Sequence, residues 1–162
     1  MEFRTGNLLL RRWRARDVEF YASFFGNEST AKYYGGTMDR SQSWRHLASV
    51  IGHWELRGFG VWAVERTTDH ELIGCAGYWE PDGWPATELA FWFVNDAYET
   101  RHALEAVKAV CARSSDYPEV SKIVSYIAPG NAPARELIEA VGGKLVDTVD
   151  LFDFGEHCEY AF

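Results

Sequence analysis

Residues 94–110 read VNDAYETRHALEAVKAV, an extended segment that ends and becomes a helix. An anion can be held at such a junction, because the free N–H groups of the first helical turn and the positive end of the helix dipole converge there. Glycine is the usual residue at these sites, since a Cβ blocks close approach of the backbone. This chain instead presents Glu99, Arg101 and His102. Glu99 opposes a dianion by about 1 kcal/mol in water-like surroundings. Arg101 attracts it through charge-assisted hydrogen bonds, roughly twice as strong as neutral ones, and a protonated His102 adds to the pull. Two readings stay open: Arg101 grips an anion in place of backbone donors, or Thr100 caps a helix and Arg101 is solvated.

Other reactive residues show less pattern. His46 and His53 stand seven apart on one helix, without the i, i+4 spacing and third ligand of a metal centre, so no metal is expected. His157-Cys158 fits no nucleophile arrangement, and Cys158 reads as a buried strand thiol. Asp82 in PDGW is turn chemistry. The basic run LRRWRARD, with Arg11, Arg12, Arg14 and Arg16, reads as a solvated face. Seven Trp are many, and a surplus of aromatics often lines a pocket, although any single one more often packs a core.

The elements that must position these groups alternate. NLLLRRW (7–13) is a short strand. Asp17 caps VEFYASFFGN, with Phe20, Tyr21, Phe24 and Phe25 at helical spacing, and Ser41 opens a second helix with Trp44, Leu47, Ala48 and Ile51 on one face and Gly58 as its stop. FGVWAVER (59–66), ELIGCAGYWE (71–80) and TELAFWFV (87–94) are hairpin-linked strands. A helix from about Thr100 to Ser114 carries the stripe Ala103, Ala106, Val107, Val110 and Cys111. Strand SKIVSYIA (121–128), a helix packing Ala134, Leu137, Ile138 and Val141, and two strand-like runs, KLVDTVDLFDF and HCEYAF, complete the order. This alternation predicts one α/β domain over residues 1–162, with a mixed sheet, helices on both faces, and the strands before and after the 94–122 crossover parallel and adjacent.

Charge narrows the partners. Sixteen Lys and Arg against 24 Asp and Glu give a net charge of −8 and a pI near 5.1, which argues against non-specific binding to nucleic acid and anionic membranes and leaves basic substrates open. Cys75, Cys111 and Cys158 are odd in number and widely spaced, as expected of reduced thiols in a cytoplasmic protein. The charged start MEFRTGNLLLRRW is not a signal peptide, and no segment reaches the length of a membrane span.

Four stretches, LLLRRWRARDVE, GFGVWAVE with ELIGCAGYWEPDGWPATELAFWF, HALEAV, and YIAPGNAPARELIEAVGGKL, resemble in order and spacing the GNAT superfamily of acyl-CoA-dependent N-acyltransferases. The likeness is strongest to the Rim-type ribosomal-protein N-acetyltransferases and covers nearly the whole chain. It implies a GNAT-type α/β (α+β) fold with a mainly antiparallel sheet, whose fourth and fifth strands splay apart to receive the pantetheine arm of acetyl-CoA. The pyrophosphate would sit on the helix after strand four, at Tyr98–Ala103. There the family pattern is Arg or Gln, two residues, Gly, one residue, then Gly or Ala, whereas this chain reads YETRHA and matches only at Ala103.

The resemblance further implies cofactor contacts at Asn131 of GNAPA and at Arg135 on the following helix, and thioester polarisation by the strand backbone near Phe93 and Val94. The position seven after the Asn often carries a Tyr acid; here it is Ile138. Glu88 at the start of strand four becomes the candidate base. Tyr33, Tyr34, Trp79 and Trp84 would rim the acceptor site. The implied partner is an amine-bearing small molecule or a protein N-terminus, a homodimer is compatible, and the alternative to catalysis is a degenerate GNAT-like binding or regulatory module.

Overall fold

The computed structural model describes residues 2–117, 119–120 and 122–162. Eight strands, β1 (Phe3–Arg4), β2 (Leu8–Arg11), β3 (Val61–Arg66), β4 (Leu72–Trp79), β5 (Thr87–Phe93), β6 (Ile123–Ile127), β7 (Lys144–Asp150) and β8 (Glu156–Ala161), form one sheet in the order β1-β2-β3-β4-β5-β6-β8-β7. Ser121, the first residue of the strand expected at 121–128, lies outside the described residues. Every neighbouring pair is antiparallel except β5 and β6, which the crossover makes parallel. The helices are α1 (Val18–Phe25), α2 (Glu28–Ala31), α3 (Arg40–Arg57), α4 (Asn95–Glu99), α5 (His102–Cys111) and α6 (Ala132–Ala140).

The two faces of the sheet are packed differently. On one, α5 lays Ala103, Ala106, Val107 and Val110, and α6 lays Ala134, Leu137 and Ile138, onto a core that includes Val64, Tyr78, Leu89, Phe91, Phe93 and Tyr160. On the other, α1 and α3 bury Tyr21, Phe24, Phe25, Leu47 and Val50 against Val61, Ala63, Cys75 and Trp92. A separate small cluster of Val124, Tyr126 and Leu151 sits over β6. The first face is continuous, whereas the second is divided along the line where β5 meets β6.

Several local expectations shift. Residues 95–99, expected to be extended, form the short helix α4. The cap of α3 is Asp39, whose carboxylate accepts from Gln42 N–H while the Gln42 side chain accepts from Asp39 N–H, rather than Ser41. The buried face of α3 is Ser43, Leu47, Val50, His53 and Trp54, one step round from the expected stripe, and Trp44 is 57% exposed. Gly58 ends α3 in the left-handed conformation, as expected.

The basic run near the N-terminus is not simply a solvated face. Arg11 is buried and pairs with Asp17 at 2.7 Å and Glu65 at 2.8 Å. Asp17 therefore serves Arg11 and the Arg14 N–H instead of capping α1 through its side chain. This network ties β2 and β3 to the start of α1, and removing one partner of such a buried pair costs about 3–5 kcal/mol.

Candidate active site

The parallel ladder between β5 and β6 is short. Among the described residues only Thr87 with Ile123 and Glu88 with Val124 are paired, while β5 pairs with β4 from Glu88 opposite Trp79 to Phe93 opposite Gly74. Past Glu88 side chains replace the ladder. The Tyr126 N–H donates to the Glu88 carboxylate, and the Ser125 hydroxyl donates to the Leu89 carbonyl at 2.7 Å. Both strands then part, with their next backbone groups no longer bonded to each other.

Backbone alternation says which groups face the gap. Val94 N–H donates to the Ile73 carbonyl on β4 at 2.9 Å, while the Leu89 carbonyl points to β6. Residues of the Leu89 parity, Phe91 and Phe93, therefore direct their N–H and C=O into the gap. The donor expected at Val94 is spent on β4, and Phe91 takes its place beside Phe93.

Glu88 sits at the apex of the gap. Burial pushes its carboxyl up to about 7, against the pull of hydrogen bonds from the Trp84 indole and the Tyr126 N–H. The indole Nε1–H donates to Glu88 Oε2 at 3.0 Å. A carboxyl with this pKa exchanges a proton readily near neutrality.

From Glu88 a cleft of about 990 Å³, part of it open to solvent, runs along the divided face. Its walls bring together Glu88, Tyr33, Tyr34, Trp79, Trp84 and Asn131 from the expected set. Trp79 stacks on His53 at 4.6 Å between centroids. His53 is in turn fixed, with Nδ1 on the Phe59 carbonyl at 2.9 Å and Nε2 accepting from Glu80 N–H at 3.0 Å. A carbonyl only accepts, so Nδ1 carries the proton.

Asn131 does two jobs. Its side-chain oxygen caps α6 at Ala134 N–H, and its Nδ2 donates to the Tyr34 hydroxyl at 3.2 Å. Tyr34 OH lies 3.5 Å from Tyr98 OH. Burial drives both phenols above their ordinary range, so they stay protonated at neutral pH. Ile138, where an acid was looked for, is fully buried.

At the far end of β5 the chain turns through α4 into α5. Arg101 precedes α5 in the left-handed conformation, with φ 64° and ψ 12°. A glycine would adopt this without cost, whereas a residue with a Cβ bears about 1–2 kcal/mol. The backbone shape of a glycine turn is thus retained without the glycine. The N–H groups of His102, Ala103 and Leu104 open the helix and have no acceptor within it. Arg101 is exposed, His102 Nδ1 meets the Thr100 hydroxyl at 2.9 Å, and Ala103 is buried under the turn. Arg135 lies elsewhere, its guanidinium held by Tyr160 OH at 2.9 Å and by the Pro129 carbonyl.

Sequence reasoning missed several residues of the cleft. Tyr126, Phe154 and His157 come from β6, the β7–β8 connection and β8, and Trp13 from the segment after β2. His157 is buried and bonds the Gly155 carbonyl through Nδ1 at 2.9 Å, which leaves the Nε2 lone pair free of that contact. The alternation Val124, Tyr126 on β6 was the one available signal. Among the described residues no group of three or more His, Cys, Asp or Glu is placed to hold a metal ion, and no helix is long and apolar enough to cross a membrane.

Comparison with solved structures gives the same architecture. An acetyltransferase from Agrobacterium tumefaciens str. C58 superposes with a TM-score of 0.89 at 23% identity, covering 100% of this chain and 94% of that one. A ribosomal L7/L12 alpha-N-protein acetyltransferase in complex with coenzyme A gives 0.80 at 13% identity, covering 100% and 97%. An aminoglycoside acetyltransferase, AAC(6')-Ib, in complex with coenzyme A gives 0.76 at 17%, covering 96% and 94%. At these identities the likeness is one of fold. A sequence profile of the acetyltransferase (GNAT) domain matches residues 7–144, so the chain belongs to the GNAT acetyltransferase family.

Proposed function

We propose that this protein transfers an acetyl group from acetyl-CoA to a primary amine, with Glu88 as the base. The observation that carries the reading is Glu88 itself: a carboxyl raised to about 7, oriented by Trp84 and Tyr126, at the point where β5 and β6 part. Acetyl-CoA would supply the acetyl group as a thioester. The chain's own groups fit such a ligand at two places. The open N-terminal turn of α5 faces phosphate with free N–H groups. The unpaired Phe91 and Phe93 edge offers a strand-like ladder to an amide-bearing arm, and one of its N–H groups can polarise a carbonyl.

Glu88 holds the incoming ammonium as a carboxylate and takes its proton, leaving the neutral amine that attack requires. A lysine-type amine near ~10.4 needs more of this help than an α-amino group near ~8. A departing thiol has a reference pKa near ~8.5, so a strong acid is not essential. In this reading the Tyr34 hydroxyl, oriented by Asn131, takes the place that Ile138 leaves empty and donates toward the leaving sulfur. Three free cysteines suit a reducing compartment, and we place the reaction in the cytoplasm.

Ile138 and the altered loop favour the rival reading, a degenerate binding module; the retained left-handed turn at Arg101 opposes it. Two measurements decide. Acetyl-CoA at about 100 times its Kd should stabilise the fold by about 2.7 kcal/mol, seen as a rise in Tm, and amine-dependent thiol release should follow. A rise without release of thiol for any amine supports the module, and an intact fold with no rise removes both readings.

A further inference from the structure

The cleft carries an unusual balance of charge and aromatic surface for so acidic a protein. The whole chain has 24 carboxylate residues, yet among the described residues that line the cleft Glu88 is the only one. Trp79 stands opposite Glu88 on β4, Trp84 bonds it, and Tyr126 and Trp92 add further aromatic lining to the same cleft. Trp84 stands edge-on to Tyr126 with centroids 6.5 Å apart, so the ring that orients Glu88 also forms wall. An acceptor with several ammonium groups would bury the second and third without a counter-ion, which is strongly unfavourable away from water. One ammonium finds one carboxylate and, beyond it, flat apolar surface that an aromatic or other apolar body fills.

The mouth adds a second restriction. A Cβ placed on Gly35 would lie 2.9 Å from Cε1 of Phe154, so the loop before α3 touches the Phe154 ring from the β7–β8 connection across the cleft. Gly35 has φ +90°, and the absence of a side chain is what lets the two loops meet. Joined loops beside the Phe154 ring, which itself lines the cleft, leave less room there for an extended polypeptide than for a compact molecule.

We infer that the acceptor is a compact monoamine with an aromatic or apolar body, rather than a polyamine, an aminoglycoside or a protein N-terminus. This rests on the acetyl-transfer reading above. In the step, Glu88 accepts one proton from R–NH₃⁺, and the nitrogen lone pair forms the C–N bond. The thioester C–S bond breaks with its electron pair going to sulfur, the attacking nitrogen gives up its second proton, that proton protonates the thiolate, and the proton on Glu88 passes to solvent. The products are the amide and a free thiol. No further reactant is needed.

The test compares 2-phenylethylamine and tryptamine with spermidine, kanamycin and a free N-terminal tetrapeptide, in two readouts. Quenching of intrinsic tryptophan fluorescence in the protein alone reads occupation of the cleft, and thiol release with acetyl-CoA reads turnover. The aromatic amines should quench saturably and show a kcat/KM at least about tenfold above the other acceptors, the scale on which pockets discriminate. Phe154→Ala, on an exposed turn, should raise the tetrapeptide's rate relative to the aromatic amines by opening the mouth. A protein that acetyl-CoA stabilises but that prefers spermidine, kanamycin or the peptide, or turns over no aromatic amine, overturns the acceptor class and leaves acetyl-CoA binding standing. An unchanged ratio in Phe154→Ala overturns the role of the mouth. Saturable quenching by aromatic amines without any effect of acetyl-CoA overturns the transfer reading while keeping the cleft's preference.

Discussion

The turn at Arg101 and the seam at Glu88 lie at opposite ends of β5, and they are built from different material. At the turn the groups proposed to meet phosphate are main-chain N–H donors, and their placement depends on a backbone conformation. Arg101 adopts at φ 64° a conformation that glycine more usually supplies. At the seam the groups proposed to act are side chains: the Glu88 carboxylate, which the Trp84 indole bonds, and the Tyr34 hydroxyl, which accepts from Asn131. Main-chain sites tolerate substitution at a cost in strain, whereas removing a working side chain costs rate directly. The same replacement therefore has different consequences at the two ends.

The largest effect belongs to the seam. Glu88→Gln should lower acetyl transfer by roughly 10²–10⁴-fold while leaving acetyl-CoA affinity unchanged. Ionisation of Glu88 in the fold is unfavourable, so its contribution to stability falls as pH rises from the ordinary carboxylate range through about 7. The same variant should accordingly gain on the order of 2 kcal/mol at pH values above that window, read by denaturant unfolding. A variant that is both inactive and less stable would mark Glu88 as a structural group.

Affinity effects at the turn come next. Arg101→Glu should weaken acetyl-CoA by about 10–100-fold, the value of a charge-assisted contact, yet leave a pantetheine fragment without phosphates unaffected. Equal binding by the variant would leave the α5 N–H groups as the whole anion site. Arg101→Gly separates charge from conformation, because relief of the left-handed strain should add about 0.5–1 kcal/mol of stability even as phosphate affinity falls.

A finer probe of the seam is Trp84→Phe. Loss of the indole hydrogen bond to ionised Glu88 should raise its pKa further, by about one unit, and move the acid limb of the rate profile to higher pH. An unmoved limb would separate Trp84 from the titrating group.

Much of the fold was legible because it rests on periodicity. The stripes of α5 and α6, the three hairpin strands and the parallel crossover all follow from apolar spacing and chain length. The α3 face was misplaced by one step because Trp44 reads as core by type, while the helix in fact turns Ser43 and His53 inward. Arg11 was read with its neighbours as solvated, since its partners Asp17 and Glu65 meet it only after β2 and β3 pair. The site divides in the same way. Glu88 and the rim aromatics were reachable through resemblance, but Tyr126, Phe154 and His157 reach the cleft through strand order β6-β8-β7, which local sequence does not encode. The left-handed Arg101 was hidden because residue type points to glycine for that conformation, and this chain departs from the rule.

The role of Glu88 is tested most directly by the pH dependence of kcat/KM for acetyl transfer, measured in parallel for the wild type and Glu88→Gln with acetyl-CoA binding followed by thermal shift. The prediction is that wild-type activity rises with pH through a limb near pH 7, that the limb is absent from the variant, and that both proteins are stabilised equally by acetyl-CoA. Superimposable profiles, with the same limb in both proteins, would contradict it.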